Sequence, residues 1–290
     1  MPQMPLVGHD SSLVLLIQTV QVSAFRTLVT ALKDILLETN IVFSPEGVKI
    51  VNMDKSHTIL AHMDLKSENF ERFECAHDKI VVGVNMFHLF KLMSSVENDD
   101  TLTLFIDADD YADGVVQFLG LRFENGDIRQ EKTQKLRLIE PEAEEIEMPS
   151  ITFSSVLNMP SVAFQKIVRD LSSVSDKLEL KSVATEAGTE LIFSCSGTWG
   201  DSEVRRTESE SLEFTKRQPL RSIIQGEFSL KYLAYFVKCT NLCSVLEMYL
   251  DNDRPLVVRY RVASLGEIKL CLAPLPRAQA GDPPTLNRTS

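Results

Sequence analysis

The chain has few of the residues and segments on which several protein classes depend. Its five cysteines are odd in number and scattered through 290 residues, which predicts reduced, mostly buried thiols and no disulfide framework. No apolar run approaches the roughly 18 residues that cross a bilayer. The first ten residues lack the basic start and apolar stretch of a signal peptide. We therefore expect the protein on the cytosolic or nuclear side of membranes.

Motifs of catalysis and metal binding are also missing. The sequence has no phosphate-binding glycine loop, no G-x-S-x-G and no H-E-x-x-H. An acidic run lacks the central glycine and terminal glutamate of an EF-hand, and it consists of Asp107, Asp109, Asp110 and Asp113. His57 and His62 lie five apart in a predicted strand, so they point to opposite faces. These absences predict a protein that is not an enzyme and needs no metal or cofactor.

An internal repeat divides the chain into two similar halves. Val22-Ser-Ala-Phe-Arg-Thr-Leu-Val is matched in the second half by Ser161-Val-Ala-Phe-Gln-Lys-Ile-Val. Five glutamates and a proline within residues 140–147 mark a linker between the copies. The predicted parts are an N-terminal extension (1–11), domain 1 (12–139), an acidic linker (140–149), domain 2 (150–275) and a disordered tail (276–290).

Each copy reads as strand, helix, several strands, helix and hairpin. This order predicts an α+β fold, with curved antiparallel sheets and the helices gathered on one face. Apolar residues at helical spacing place the helices at residues 22–38, 85–95, 161–172 and 229–239.

All four predicted helices carry basic residues on a common face. For a single helix an ordinary solvated face is a sufficient explanation. Recurrence in four helices, in a chain of net charge −11, instead predicts one basic surface that contacts phosphates while the acidic remainder lies elsewhere. The basic residues are Arg26, Lys33, Lys91, Lys166, Arg169, Lys231 and Lys238.

Several motifs together resemble one family, collinearly from about Leu13 to Pro274. They are Ala31-Leu-Lys-Asp, Gly47-Val, Met53-Asp-Lys-Ser-His, Gly83-Val-Asn, Asn158-Met-Pro-Ser, Arg169-Asp-Leu, Tyr232-Leu, Pro255-Leu-Val-Val and Leu272-Ala-Pro. The set is similar to the proliferating cell nuclear antigen family, the DNA sliding clamps of eukaryotes and archaea. Because the similarity covers most of the chain, no single motif carries it.

The resemblance implies a head-to-tail homotrimeric ring around duplex DNA, working in the nucleus or at a site of viral replication. Implied partners are DNA, irrespective of sequence, a DNA polymerase, a clamp loader and other replication and repair proteins. By position, the seven basic residues match DNA-facing residues of the family or lie beside them. Ser94 and Asn158 replace basic residues there, and Ala184 replaces a modifiable lysine. Trp199 lies in a loop between two strands of domain 2, near the implied subunit interface, and ordinary packing is the role we expect for it.

The resemblance also implies a groove beneath the linker that accepts short partner peptides. Its matching residues are Met53, His57, Leu60, Ile146, Met148, Pro255, Ala273, Pro274 and Leu275. From the residues alone, an ordinary core position explains several of them equally well. Cys271 stands where the family commonly has an aromatic residue, and Pro141 interrupts the linker, so partner preference is predicted to differ.

Three other functions stay open at this point. The chain could be an enzyme, for which the sequence offers only the acidic run. It could be one subunit of a heterotrimeric checkpoint clamp, although the match to the replicative motifs favours a homotrimer. It could also be a divergent viral processivity factor that acts as a monomer or dimer.

Overall fold

A computed structural model describes residues 13–143, 146 and 151–276. The predicted N-terminal extension, Met148 and nearly all of the predicted tail lie outside the described residues. Within the described part, no helix has the length and apolar character needed to cross a membrane.

The first repeat contains two helices and eleven strands. In chain order they are β1 (Leu13–Thr19), α1 (Val22–Leu32), β2 (Glu38–Ser44), β3 (Gly47–Met53), β4 (Ile59–Lys66), β5 (Arg72–Cys75), β6 (Ile80–Asn85), α2 (Met86–Met93), β7 (Thr101–Asp107), β8 (Tyr111–Ala112), β9 (Val115–Val116), β10 (Phe118–Asn125) and β11 (Gln130–Arg137).

The second repeat follows the same order with nine strands. Its elements are β12 (Ser155–Pro160), α3 (Ser161–Ser172), β13 (Lys177–Thr185), β14 (Gly188–Ser196), β15 (Asp201–Thr207), β16 (Glu213–Lys216), β17 (Ile223–Ser229), α4 (Leu230–Phe236), β18 (Val245–Leu250), β19 (Leu256–Val262) and β20 (Gly266–Leu272). A 3₁₀ segment, Val237–Leu242, continues α4.

Two predicted helix ends are wrong. Helix α1 ends at Leu32 and not at residue 38, because the backbone N–H of Lys33 closes the last turn on the Val29 carbonyl and β2 already starts at Glu38. Helix α4 ends at Phe236 and tightens into the 3₁₀ segment. The apolar spacing that predicted both extensions reflects side chains that are buried after the α-helix has ended, such as Leu36 and Cys239.

All strand pairs are antiparallel, as the α+β prediction requires. A five-stranded sheet (β11-β10-β7-β1-β5) belongs to the first repeat and a four-stranded sheet (β15-β14-β13-β17) to the second. A nine-stranded sheet (β16-β12-β18-β19-β20-β4-β3-β2-β6) contains strands of both repeats. The pair β4–β20, from Leu65↔Gly266 to Ile59↔Leu272, joins the repeats.

The helices form one row in the order α2, α1, α4 with its 3₁₀ segment, and α3. Helix α1 packs against both α2 and the 3₁₀ segment, while α3 packs against α4. Each helix buries one stripe, as Phe25, Leu28 and Leu32 do in α1, because apolar residues three or four apart share a face. The core is continuous across the repeats. The opposite, polar faces of the row are left for solvent or a ligand.

The start of the linker is fixed to the edge of the nine-stranded sheet. The Ile139 N–H donates to the Gly83 carbonyl at 3.0 Å. Asn40 then exchanges two hydrogen bonds with the backbone of Glu142, at 2.7 and 2.9 Å. A Cβ on Gly83 would lie 2.5 Å from the Ile139 carbonyl oxygen, so this approach requires glycine.

Trp199 is 72% exposed in the loop before β15. The prediction that it packs is therefore wrong for the isolated chain, because no described side chain covers most of the ring.

Candidate functional site

Four of the seven predicted basic residues extend from the helix row without an acidic partner in the described chain. Lys166 and Arg169 lie exposed on α3. Lys91 of α2 and Lys231 of α4 are also exposed, with their ammonium groups 5.1 Å from the Phe87 ring and 6.0 Å from the Tyr232 ring. Since none of the four forms an ion pair in the described part, their charges are available to an anionic ligand.

Lys33 and Lys238 share Asp34. Asp34 accepts from Lys33 at 2.8 Å and from Lys238 at 2.5 Å, so the carboxylate joins the end of α1 to the 3₁₀ segment. Partial burial alone would raise the pKa of Asp34, but the hydrogen bonds from Lys238 and Lys33 outweigh it and hold the pKa below its ordinary value. This carboxylate therefore offsets part of the positive charge at the middle of the row.

Arg26 points sideways within the first repeat. Its guanidinium donates to the Val96 carbonyl and to Asn98 Oδ1, both at 2.7 Å. Arg26 thus ties α1 to the loop after α2. The pairing of Lys238 with Asp34 spans 204 residues, so no local pattern could have revealed it.

A hollow of about 540 Å³ lies on the other face of the nine-stranded sheet. Five of the predicted groove residues line it, namely Met53, His57, Leu60, Pro255 and Ala273. Pro274 and Leu275 follow directly but do not line the hollow, and the Leu275 N–H donates to the Glu227 carbonyl at 2.7 Å. Ile146 lines a separate hollow of about 910 Å³ beside β2, β3 and β6.

The floor of the groove is apolar and was largely missed from sequence. Phe153, Val257 and Cys271 are buried in one cluster, with Leu60 and Tyr249 packed against it. The register places Cys271 between Val257 on β19 and Leu60 on β4. Alternation along these strands was the signal that could have found the floor, because residues two apart share a face.

Polar groups stand at one end of this floor. His62 and Lys269 pair across β4 and β20. Burial lowers the pKa of His62 and the Lys269 charge lowers it further, so the imidazole is neutral near pH 7, and its buried Nδ1 has no described hydrogen-bond partner. Burial and a hydrogen bond to Glu247 raise the pKa of Tyr249 to about 12. The groove therefore has an apolar floor, with the cation Lys269 and two neutral polar side chains, His62 and Tyr249, at one end.

The loop at the rim is held rigidly. Asp54 Oδ1 accepts from the N–H groups of Thr58 and Ile59 at 2.7 and 2.6 Å. His57 sits in this loop with a φ of 53° and its side chain exposed. The backbone thus presents the imidazole of His57 at the mouth of the groove.

The acidic run holds a lysine. Asp107 and Asp110 both accept from Lys135, at 2.8 and 2.7 Å, and these bonds raise the pKa of Lys135 to about 12. No group of three or more metal-ligating side chains occurs among the described residues. The described chain thus presents exposed cations on the helix row and an apolar groove on the other face of the nine-stranded sheet.

Comparison with known proteins identifies both repeats. The family described as "Proliferating cell nuclear antigen, N-terminal domain" matches residues 14–145, and "Proliferating cell nuclear antigen, C-terminal domain" matches residues 147–275. The chain is 30% identical over 266 residues to the "Probable DNA polymerase sliding clamp 1" of Paramecium bursaria Chlorella virus 1, covering 92% of this chain and 98% of that protein.

A cellular protein is similar to the chain over nearly the same length. The "Proliferating cell nuclear antigen" of Chaetomium thermophilum is 31% identical over 262 residues, which is 88% of this chain and 95% of that protein. The chain therefore belongs to the proliferating cell nuclear antigen family, and its function is that of a DNA sliding clamp.

Proposed function

We propose that three copies of this chain close head to tail into a ring that encircles duplex DNA and tethers a DNA polymerase and other replication and repair proteins. The ring has no catalysis of its own and works in the nucleus or at a viral replication site. The observation that carries this proposal is the helix row, in which Lys91, Lys166, Arg169 and Lys231 are exposed and form no ion pair with any described residue. Loose contacts from such cations to phosphates allow sliding because they carry no base information.

The free sheet edges support head-to-tail assembly. The edges at β6 and β17 are partly occupied, by Ile139 in the first case and by Leu275 and Asn252 in the second. The outer edges of β11 and β15 make no backbone hydrogen bond to any described residue. An edge strand of this length invites pairing with another chain. Joining β11 of one copy to β15 of the next is a heterologous contact of the kind that closes rings.

The groove supports peptide tethering. Its apolar floor has a few polar groups at one end, and Ile151 and Phe153 in its lining follow the acidic linker in the sequence. Such a site suits a short peptide with one or two apolar anchors and basic flanking residues. We propose Met53, His57, Leu60, Pro255 and Ala273 as its contacting residues.

The test is retention on closed DNA together with the mass of the free protein. We expect light scattering to give a trimer, and the clamp loaded by its loader to stay on circular DNA and leave when the circle is cut. A monomer or dimer, or a chain that trimerises only with different subunits, would contradict the proposal. Loss from uncut circles would contradict encirclement.

A further inference from the structure

One side chain on the helix row does not fit a surface that contacts only phosphates. Phe87, the second residue of α2, is 46% exposed. Its ring centroid lies 6.4 Å from that of Phe90 and 6.3 Å from that of the exposed His88. The ammonium group of Lys91 lies 5.1 Å from the Phe87 ring centroid. An aromatic ring and a free cation thus stand next to each other on the exposed face of one helix.

The repeat makes this position informative. Helices α2 and α4 start alike, each with a capping residue, a buried aliphatic residue, and a second buried residue one turn later. These pairs are Asn85 and Ser229, Met86 and Leu230, and Leu89 and Leu233. In this register Phe87 corresponds to Lys231, which is also exposed. One repeat therefore places a cation where the other places a ring.

An exposed ring beside a cation is suited to a ligand that has both a flat face and a negative charge. Unpaired nucleotides have both, because each base offers a π-face and each linkage a phosphate. In a duplex the base faces are covered by their neighbours, so a duplex can use Lys91 but offers nothing to Phe87. The charge complementarity and the ring together select single-stranded DNA.

We propose that Phe87 is a stacking platform for unpaired bases, so that this clamp binds single-stranded DNA through base faces as well as phosphates. The inference rests on the proposed function, since it assigns an additional ligand to the DNA-facing helix row. The contact forms wherever a strand inside the ring is unpaired, for example next to a primer end, and is absent on continuous duplex.

The test compares an oligothymidylate with an abasic oligonucleotide of equal length, which has the same phosphates and no bases. Affinities of the full chain are measured at low salt by fluorescence anisotropy for the unchanged protein and for Phe87→Ala, Phe87→Trp and Val162→Ala. Val162 is the matched control because it is 64% exposed near the start of α3 and is aliphatic. Loading on circular duplex is measured in parallel.

We expect the unchanged protein to prefer the oligothymidylate by about fivefold or more, the factor for one stacked base. Phe87→Ala should remove that preference, whereas Phe87→Trp and Val162→Ala should keep it. Equal affinity of the unchanged protein for the two oligonucleotides would overturn the inference. Dissociation of the trimer in Phe87→Ala, seen as a lower mass of the free assembly, would also overturn the inference. It would mean that Phe87 is covered by a second copy of the chain. If the base-stacking inference fails but all variants are still retained on circular duplex, the proposed ring stands.

Discussion

At the scale of single residues, Asp34 controls how much positive charge the helix row presents. It holds Lys33 and Lys238 together across the two repeats. We predict that Asp34→Asn releases both lysines and tightens binding to duplex DNA. The slope of the logarithm of its DNA-binding constant against the logarithm of salt concentration should increase in magnitude by about 1 to 2, since each additional phosphate contact adds about 0.9. The measurement is the binding constant across a salt series.

Asp170→Asn is the matched control for this prediction. Asp170 is exposed on α3, and its carboxylate forms no ion pair with a described residue, so its removal changes the net charge equally but releases no lysine. Equal salt exponents in the two variants would mean that net charge, and not release of the lysines, determines the effect.

The same carboxylate predicts a pH dependence of stability. Its pKa is lower in the folded chain than its ordinary value of 3.8. The stabilisation is therefore present above that value and is lost as the pH falls through the folded pKa. For a pair this exposed we expect about 1 kcal/mol or less. The free energy of urea unfolding, compared between the unchanged protein and Asp34→Asn, should differ at about pH 6 and converge near pH 2 to 3. A constant difference would contradict this assignment.

At the scale of elements, the contact between Gly83 of β6 and the start of the linker leaves no room for a side chain at position 83. A Cβ at Gly83 meets the Ile139 carbonyl oxygen at 2.5 Å and that of Glu140 at 2.8 Å. Gly83→Ala should displace the linker, lower the free energy of unfolding by about 1–3 kcal/mol, and make the linker more sensitive to limited proteolysis. Gly126→Ala is the control, since a Cβ there meets nothing within 4 Å. Equal proteolysis of the two variants would show that the linker does not depend on this contact.

The groove gives a second prediction at this scale. Leu60 lies half-buried against the apolar floor. Leu60→Glu places a charge there and should weaken binding of a peptide with apolar anchors by about tenfold or more, because anchors in desolvated pockets dominate such interfaces. Val51→Glu is the control, being half-buried on β3 and lining the separate hollow. Peptide titrations that give the same loss of affinity for both variants would mean that the peptide does not bind in this groove.

The features that could be predicted from the sequence also differ between elements. The order of strands and helices, the basic residues along the helix row and the choice of five residues that line one hollow were accessible because they depend on periodicity and on motifs. The end of α1 was not, because Leu36 is buried after the helix has ended. Alternation along β19 and β20 could have placed Val257 and Cys271 in the groove floor, but the addition of Phe153 and Tyr249 to it and the Lys238–Asp34 ion pair depend on contacts between distant segments. Pairing between residues that far apart is determined by the tertiary fold and has no local pattern.

At the scale of the whole molecule, a net charge of −11 is compatible with the proposed DNA-facing helix row, because Lys91, Lys166, Arg169 and Lys231 form no ion pair among the described residues. We predict that Lys91→Glu, Lys166→Glu and Lys231→Glu combined strongly impair loading onto circular DNA while leaving the mass of the free assembly unchanged. All three side chains are exposed and without acidic partners among the described residues, so their reversal changes the electrostatic attraction and little packing.

Lys49→Glu serves as the control for that triple variant. Val48 and Ile50 of β3 pack with residues of α1, so Lys49 between them is on the sheet face opposite to the helices, where it lines the hollow beside β2, β3 and β6. Its reversal should leave loading intact, whereas normal loading of the triple variant would contradict the assignment of the helix row as the DNA-facing surface.

The pairing of β4 with β20 has a consequence for how the chain is made. Strand β4 ends at Lys66 and its partner begins at Gly266, so on the ribosome β4 is complete long before its neighbour exists. At about 5–20 residues per second the delay is on the order of tens of seconds. Throughout it, the edge of β4 that later pairs with β20 is uncovered. The nascent first repeat is therefore the stage at which this clamp most needs protection from aggregation.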